Sequence, residues 1–377
     1  MRITVEQARL LKSLQVVERA VNDRSAMPIL ANVLLETRQQ ELILTATDLD
    51  VGVQYRVPVM DKLEQGAITL PARRFSTIVR ELPQEPVTIE AKKNHTATLV
   101  CGSTQFRLQG LPPEDFPIFP EFGQPTPSTI AQSTLKSLVA LTEFAMSMEE
   151  TRFVLNGALM TCQEGMLALV ATDGRRLAVA RAPLEPGGAN APVSVVVPAK
   201  TIHELGRLLQ DDEDARVEIA PIKDNQLLFR FGETTIITRL IDGQFPRYEQ
   251  VIPGPVDTKL TCSRPLLISA IRRASLMTTA TSQAIVFEVA KDRVTISKES
   301  PEFGSAREDV PAAYSGSPMT LAFNPEFWLE ALKALSVEEV SIELTSPEKP
   351  AVIRLGEDER AADGVALTYV VLPMKLS

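Results

Sequence analysis

The chain has 377 residues, enough at roughly 100 to 200 residues per domain for two to four domains with sizeable cores. Its 39 Lys and Arg against 48 Asp and Glu give a formal charge of −9, which as a whole-chain sum argues against binding nucleic acid or an anionic membrane surface. Two histidines, His95 and His203, and three widely spaced cysteines, Cys101, Cys162 and Cys262, exclude most metal sites, His-based triads and a disulfide framework.

The first segment, VEQARLLKSLQVVERAV from Val5, has the period of an amphipathic helix and is charged too often to be a signal peptide. No uncharged apolar run reaches the roughly 18 residues needed to cross a bilayer, so a soluble cytoplasmic protein without a membrane partner is expected. The strand patterns LANVLLET and ELILTATDL follow, then a helix in LPARRFSTIVREL from Leu70, then the strands VTIEAKK and FRLQG. A Pro-rich stretch at 111–128 can continue neither a helix nor a central strand. The order then starts again. A helix in STLKSLVALTEFAMS opens at Ser133, the strands LALVATD and VSVVVPA lead to a helix in VPAKTIHELGRLL from Val197, and TIITRLI precedes a second Pro-rich joint at 245–257. A third round has helices from Ser263 and Phe323 with AIVFEVA, RVTISK, VSIELT and VALTYVVLP as strands.

The rounds are in phase, with a period of about one third of the chain. The first helices open at Val5, Ser133 and Ser263, and the segments of the second helices at Leu70, Val197 and Phe323. ATDLD at Ala46 returns as ATDGRR at Ala171, and the Phe-Pro pair at Phe116 returns at Phe245, both in the same register. Such a period predicts an α+β fold of three tandem similar domains, each with two helices and about eight strands, with boundaries giving 1–124, 125–249 and 250–377.

The charge divides along the same lines. In chain order the six helical segments carry +1, +2, 0, +1, +3 and −1, which amounts to +6 and leaves −15 on the rest. Helices grouped on one side would then attract a phosphate backbone that the remaining surface repels, through contacts that read no base edges. Catalytic motifs are absent: there is no GxxxxGK[ST], HExxH, GxSxG or GxGxxG, so no catalytic residue, metal or cofactor is expected. Asp48, Asp50 and Asp173 would be the carboxylates of a hydrolase reading, but Asp after Thr at a strand end usually closes an Asx-type turn. The terminal TYVVLPMKLS is apolar, as expected of a last core strand, of the rim of an apolar groove, or of both.

Over its whole length the sequence resembles the bacterial sliding clamps, the beta subunits of DNA polymerase III. The likeness rests on Leu10-Leu11-Lys12, MPILANVLLE, ATDLD, LPARRF, LNG followed by ATDGRRLAV, DGQFPRY and YVVLPMKL, in order and at matching distances. It implies a ring-shaped head-to-tail homodimer that encircles double-stranded DNA without sequence preference and gives processivity in replication. Implied partners are the polymerase III catalytic subunit, the clamp loader, and other polymerases and repair factors, bound through short linear motifs.

By position, the resemblance assigns DNA contact to Arg24, Arg73 and Lys200, and to the loop containing Glu149, Phe153 and Val154. It assigns a peptide groove to Leu155, Thr172, Gly174, Arg175, Arg176, Leu177, Pro246, Gln250, Val251, Val370, Val371, Leu372, Pro373, Met374 and Lys375. The dimer joint would bring Phe106 and Leu108, with Arg74 nearby, against Leu276 and Met277, with Glu302 and Glu308 as acidic candidates. Several positions depart from the family. Glu149 stands where a Gln is frequent, Phe153-Val154 replace a Tyr pair, 278–284 is uncharged, Arg175 replaces a His, Gln250 replaces an Arg, and Ser377 extends the tail. These departures motivate an alternative, a clamp paralogue that scaffolds partners with altered DNA loading.

Overall fold

The computed structural model describes residues 1–61, 64–119, 127–186, 192–355 and 364–375. Six α-helices lie among them: α1 (Gln7–Val17), α2 (Ala72–Glu81), α3 (Gln132–Ala140), α4 (Ala199–Leu208), α5 (Arg264–Ser275) and α6 (Pro325–Ala334). At 9 to 12 residues they are too short to be stable alone, and each buries one stripe. In α2 the buried residues are Ala72, Phe75, Ser76 and Val79, which places Arg73, Thr77 and Arg80 on the exposed face. Pro71 and Pro198 cap the starts of α2 and α4, where a fixed φ and a missing N–H cost nothing.

The three rounds have one element order: a strand, a helix, a three-strand meander, a strand, a helix and a second three-strand meander. In the first round these are Arg2–Glu6, α1, the meander Asn32–Arg38, Glu41–Thr47 and Val51–Pro58, then Ala67–Pro71, α2, and the meander Pro86–Ala91, Thr96–Cys101 and Thr104–Gln109. Eight strands and two helices per round agree with the sequence period. The two helices of each round pack together, α1 on α2, α3 on α4 and α5 on α6. Side chains stitch these pairs: Gln7 Nε2 donates to the Val79 carbonyl at 2.7 Å, and Arg264 Nη1 to the Leu332 carbonyl at 3.0 Å.

By contact the chain forms two compact units, 1–129 with 214–240, and 130–213 with 241–377. In the first, Val51–Pro58 pairs antiparallel with Thr234–Arg239, Thr234 opposite Tyr55 and Thr238 opposite Val51. In the second, Arg176–Pro183 pairs in the same way with Ala366–Val371, Arg176 opposite Val371 and Arg181 opposite Ala366. In both joints the last strand of a first meander meets the last strand of the next round's second meander, so sheets run through the sequence repeats instead of stopping at their ends.

Two helix limits differ from the sequence pattern. Val5 lies in a strand opposite Val87 and α1 begins at Gln7, because Ile3 and Val5 fill the core in strand alternation. The helix in STLKSLVALTEFAMS ends at Ala140, and a 3₁₀ turn at Glu143–Ala145 carries the chain on.

Candidate functional site

The ATDGRR segment closes a strand with a tight turn whose hydrogen bonds are local. Thr172 Oγ1 accepts from Gly174 N at 3.0 Å and donates to the Arg176 carbonyl, while Asp173 Oδ1 accepts from the backbone N–H groups of Arg175 and Arg176 at 2.8 and 3.0 Å. Gly174 has φ +85°, so glycine fits the turn for its conformation; a Cβ there would meet only the movable end of Arg152, Nη1 at 2.6 Å. Asp173 is thus a turn-forming acceptor, the role its sequence context suggests.

This turn forms one lip of an open, mainly apolar cavity of about 200 Å³. Its walls are Leu155, Thr172, Gly174, Arg175, Arg176, Leu177, Pro246, Arg247, Tyr248, Val251, Val370 and Leu372. The floor is a buried cluster that includes Leu159, Val170, Val179, Phe245, Tyr248 and Val352. Of the residues assigned to the groove from sequence, Gln250, Val371, Pro373, Met374 and Lys375 stand outside these walls, Val371 because its side chain is wholly buried. Arg247 and Tyr248 line the cavity and were not singled out from sequence, although both lie in the motif DGQFPRY. The tail is both strand and rim. Val370 and Val371 are core, Leu372 N donates to the Arg175 carbonyl at 3.0 Å, and Met374 N donates to the Ala322 carbonyl at 2.7 Å. Ser377 lies outside the described residues.

Arg176 is the most constrained cation of the cavity. It is 9% exposed, pairs with Asp173 through Nε at 3.1 Å and with Glu330 of α6 through Nη1, and lies over the rings of Phe144 and Phe327 at 5.5 and 4.5 Å. Beneath it, burial pushes the Tyr369 phenol well above its ordinary value, and its hydroxyl donates to the Phe327 carbonyl at 2.8 Å. Arg175 and Arg247 are exposed on the rim. A cavity with an apolar floor and cationic lips suits a short extended segment with aliphatic side chains and few positive charges.

Of the residues assigned to DNA, all but Val154 are at the surface, and Arg73 and Glu149 are in ion pairs. Arg73 on α2 is 2.6 Å from Asp23, next to the exposed Arg24, and Lys200 is exposed in the first turn of α4. Glu149 is paired with Arg152 at 3.3 Å, which offsets the repulsion its carboxylate would exert on phosphate. Phe153 is exposed, whereas Val154 packs against the floor of the groove. The uncharged stretch 278–284 has a cation beneath it: Lys298, 6% exposed, donates from Nζ to Ser282 Oγ at 2.6 Å.

Of the residues assigned to the dimer joint, Phe106, Leu108 and Glu308 fall on two strands with open edges, Arg74 lies on α2, Leu276 and Met277 follow α5, and Glu302 sits in the turn before Gly304. Thr104–Gln109 is the last strand of a four-stranded sheet, and Gly304–Tyr314 has a neighbour on its second side only at Ala312–Tyr314 among the described residues. Phe106 is 38% exposed, Arg74 and Glu302 are exposed, Leu276 is 72% exposed and Met277 is half-buried. Leu108 points into the core at 7% exposure, opposite Ala97. Glu308 is held by Arg273 of its own chain at 2.7 Å, which keeps the carboxyl below the usual range.

Three family models match the chain end to end: the N-terminal domain of the DNA polymerase III beta subunit at residues 1–120, its central domain at 129–247 and its C-terminal domain at 249–375. The beta sliding clamps of Salmonella typhimurium and Escherichia coli K12 are 35% and 34% identical over 378 residues, with each chain covered in full. The crystal structure of the Pseudomonas aeruginosa DNA polymerase III subunit beta, 34% identical, superposes over all of both chains with a TM-score of 0.90. The Bacillus subtilis sliding clamp, 29% identical, does so at 0.91. The repeat, the shared element order and these matches over the full length agree, and the chain belongs to the DNA polymerase III beta subunit family, the beta sliding clamps, a non-catalytic processivity subunit of that polymerase.

Proposed function

We propose that two copies of this chain close head to tail into a ring around double-stranded DNA and tether the replicative polymerase to it. The observation that carries this reading is the unfinished third joint. Each chain has three first meanders and three second meanders, and pairs two of each internally. The last strand of the third first meander, Gly304–Tyr314, and the last strand of the first second meander, Thr104–Gln109, are left with open edges. An open edge is a template for another strand. A second copy supplies the missing partner twice, once at each end, so a heterologous contact closes after two chains.

Within such a ring, Arg24, Arg73 and Lys200 would meet phosphates, individually weakly and in a salt-dependent way, so DNA is held by enclosure more than by attraction. The groove at Thr172–Leu372 takes short extended segments of the polymerase III catalytic subunit, the clamp loader, other polymerases and repair factors, one segment at a time. We keep the domain boundaries near 124 and 249 and place the protein in the cytoplasm with its DNA. Lys298 under 278–284 and the Glu149–Arg152 pair temper the two departures that favoured a scaffold without effective loading.

Sedimentation tests the joint. The wild-type chain of 41.3 kDa should sediment at twice that mass, and Phe106→Asp or Leu276→Asp should sediment at one chain while still binding groove peptide. A wild-type monomer, or variants that remain dimers, would remove this joint from the account.

A further inference from the structure

The turn that forms the groove's lip has a counterpart at the first strand joint. There, Thr47 Oγ1 accepts from Leu49 N at 3.0 Å and donates to the Val51 carbonyl at 3.1 Å, while Asp48 Oδ1 accepts from the N–H groups of Asp50 and Val51 at 3.1 and 2.8 Å. These are the bonds of the Thr172–Arg176 turn, position for position, one round earlier. Ile237 stands opposite Gly52, as Val370 stands opposite Leu177, and Pro117, Ile118 and Phe119 hold in the first round the places of Pro246, Arg247 and Tyr248 in the second.

A cavity of about 90 Å³ opens at the same place, between Leu49, Asp50, Ile118, Phe119 and Ile237. It is under half the volume of the groove and has room for one branched aliphatic side chain. Two features set it apart from a filled-in relic. Leu49 has φ +82° where the groove has Gly174, and a leucine in the left-handed region is strained by about 1–2 kcal/mol. Instead of being buried for that strain, Leu49 is 52% exposed, and Ile118 beside it is 94% exposed. The lip charge is also reversed. Asp50 takes the place of Arg175, and Ile118 that of Arg247.

We propose that this cavity is a second docking site, for a short extended peptide with a single aliphatic anchor flanked by Lys or Arg. Charge complementarity selects the occupant: with Asp50 on the lip and no arginine among the described lining residues, Arg239 reaching Asp50 only through its backbone N–H, a basic segment is drawn to this site and disfavoured at the groove. The inference takes its peptide chemistry from the reading of the groove, so the two must be tested separately.

The full chain, labelled at Ile and Leu methyls, is titrated with Ac-Ala-Lys-Leu-Lys-Ala-NH2, with Ac-Ala-Glu-Leu-Glu-Ala-NH2 and, for the groove, with Ac-Gln-Leu-Ala-Leu-NH2. The basic probe should shift the methyls of Leu49, Ile118 and Ile237 saturably, at least tenfold more tightly than the acidic probe, and leave Leu155 and Leu372 unmoved. Leu49→Gly, which folds without strain because glycine accepts this φ, should weaken the basic probe at least tenfold, and Asp50→Asn at least threefold. The groove probe should move Leu155 and Leu372 equally in all variants, so its failure would count against the groove reading and not against this site. The proposal is overturned if the basic probe gives no saturable shift, if the acidic probe binds as well, or if Leu49→Gly binds like wild type. It is overturned equally if the Leu49 and Ile118 methyls shift with protein concentration alone, which would make a second copy the occupant.

Discussion

The two strand joints inside this chain share a backbone and differ in what they present. At the first, Val51 is a buried aliphatic residue behind the turn and the cavity is small; at the second, its counterpart Arg176 is a buried cation braced by Asp173 and Glu330, and the cavity is about 200 Å³. The hydrogen bonds of the turn are retained in both. The comparison teaches that the repeat conserves a way of turning the chain at a sheet joint, while a few side chains, Gly174 for Leu49 and Arg247 for Ile118 among them, decide whether the joint becomes a wide groove.

Four changes sharpen that contrast. The largest effect should come from Arg176→Ala, which leaves Glu330 and Asp173 without their shared cation and empties the space over Phe144 and Phe327. Glu330 is 46% exposed and water can solvate it once the cation is gone, so the cost stays below that of a fully buried pair: denaturant unfolding should lose about 2–3 kcal/mol, and a loss below about 1 kcal/mol would show that the bracing is incidental. Next, Gly174→Leu rebuilds the first joint's residue at the second. A leucine at φ +85° against Arg152 should cost about 2 kcal/mol by the same measurement, and an unchanged stability would contradict the equivalence of the turns.

Deleting 373–377 removes the Met374 anchor to Ala322 and frees Leu372 at the rim. Isothermal titration should then give at least a tenfold weaker groove peptide, about 1.4 kcal/mol, with the dimer mass unchanged. Wild-type affinity in this truncation would make the tail core alone. The smallest effect is Leu49→Gly, where relief of about 1–2 kcal/mol of strain is partly cancelled by the roughly 0.5–1 kcal/mol entropic cost of glycine, so thermal unfolding should rise slightly. A lowered midpoint would mean that Leu49 packs more than its exposure suggests.

Much of this was legible in the sequence because the repeat is long and its signals are local. The spacing of LPARRF, VPAKT and FNPEF predicts the element order, and Thr-Asp at a strand end predicts both turns. Less legible was what depends on contacts between distant segments. Arg73 with Asp23, Lys136 with Asp211 and Arg273 with Glu308 each offset a helix charge that a count along the chain treats as free. Arg247 and Tyr248 were in view within DGQFPRY, yet only the packing of Tyr248 on the Leu159 and Val352 cluster turns them toward the groove. Phe106 and Leu108 share one face by strand alternation, but Leu108 is buried and Phe106 is 38% exposed. Continuity of the sheets through the sequence repeats has no local signal at all. It is set by the pairing of strands from different rounds, Val51–Pro58 with Thr234–Arg239 and Arg176–Pro183 with Ala366–Val371.

The central claim, that the third joint forms between two copies and closes a ring on DNA, is tested most directly by topology. Clamp loaded on a nicked circular duplex and passed through a sizing column should remain with the DNA, and a single restriction cut should release it within the time of the run. Equal retention on circular and linear DNA would mean binding by attraction alone, and the account of enclosure would be wrong.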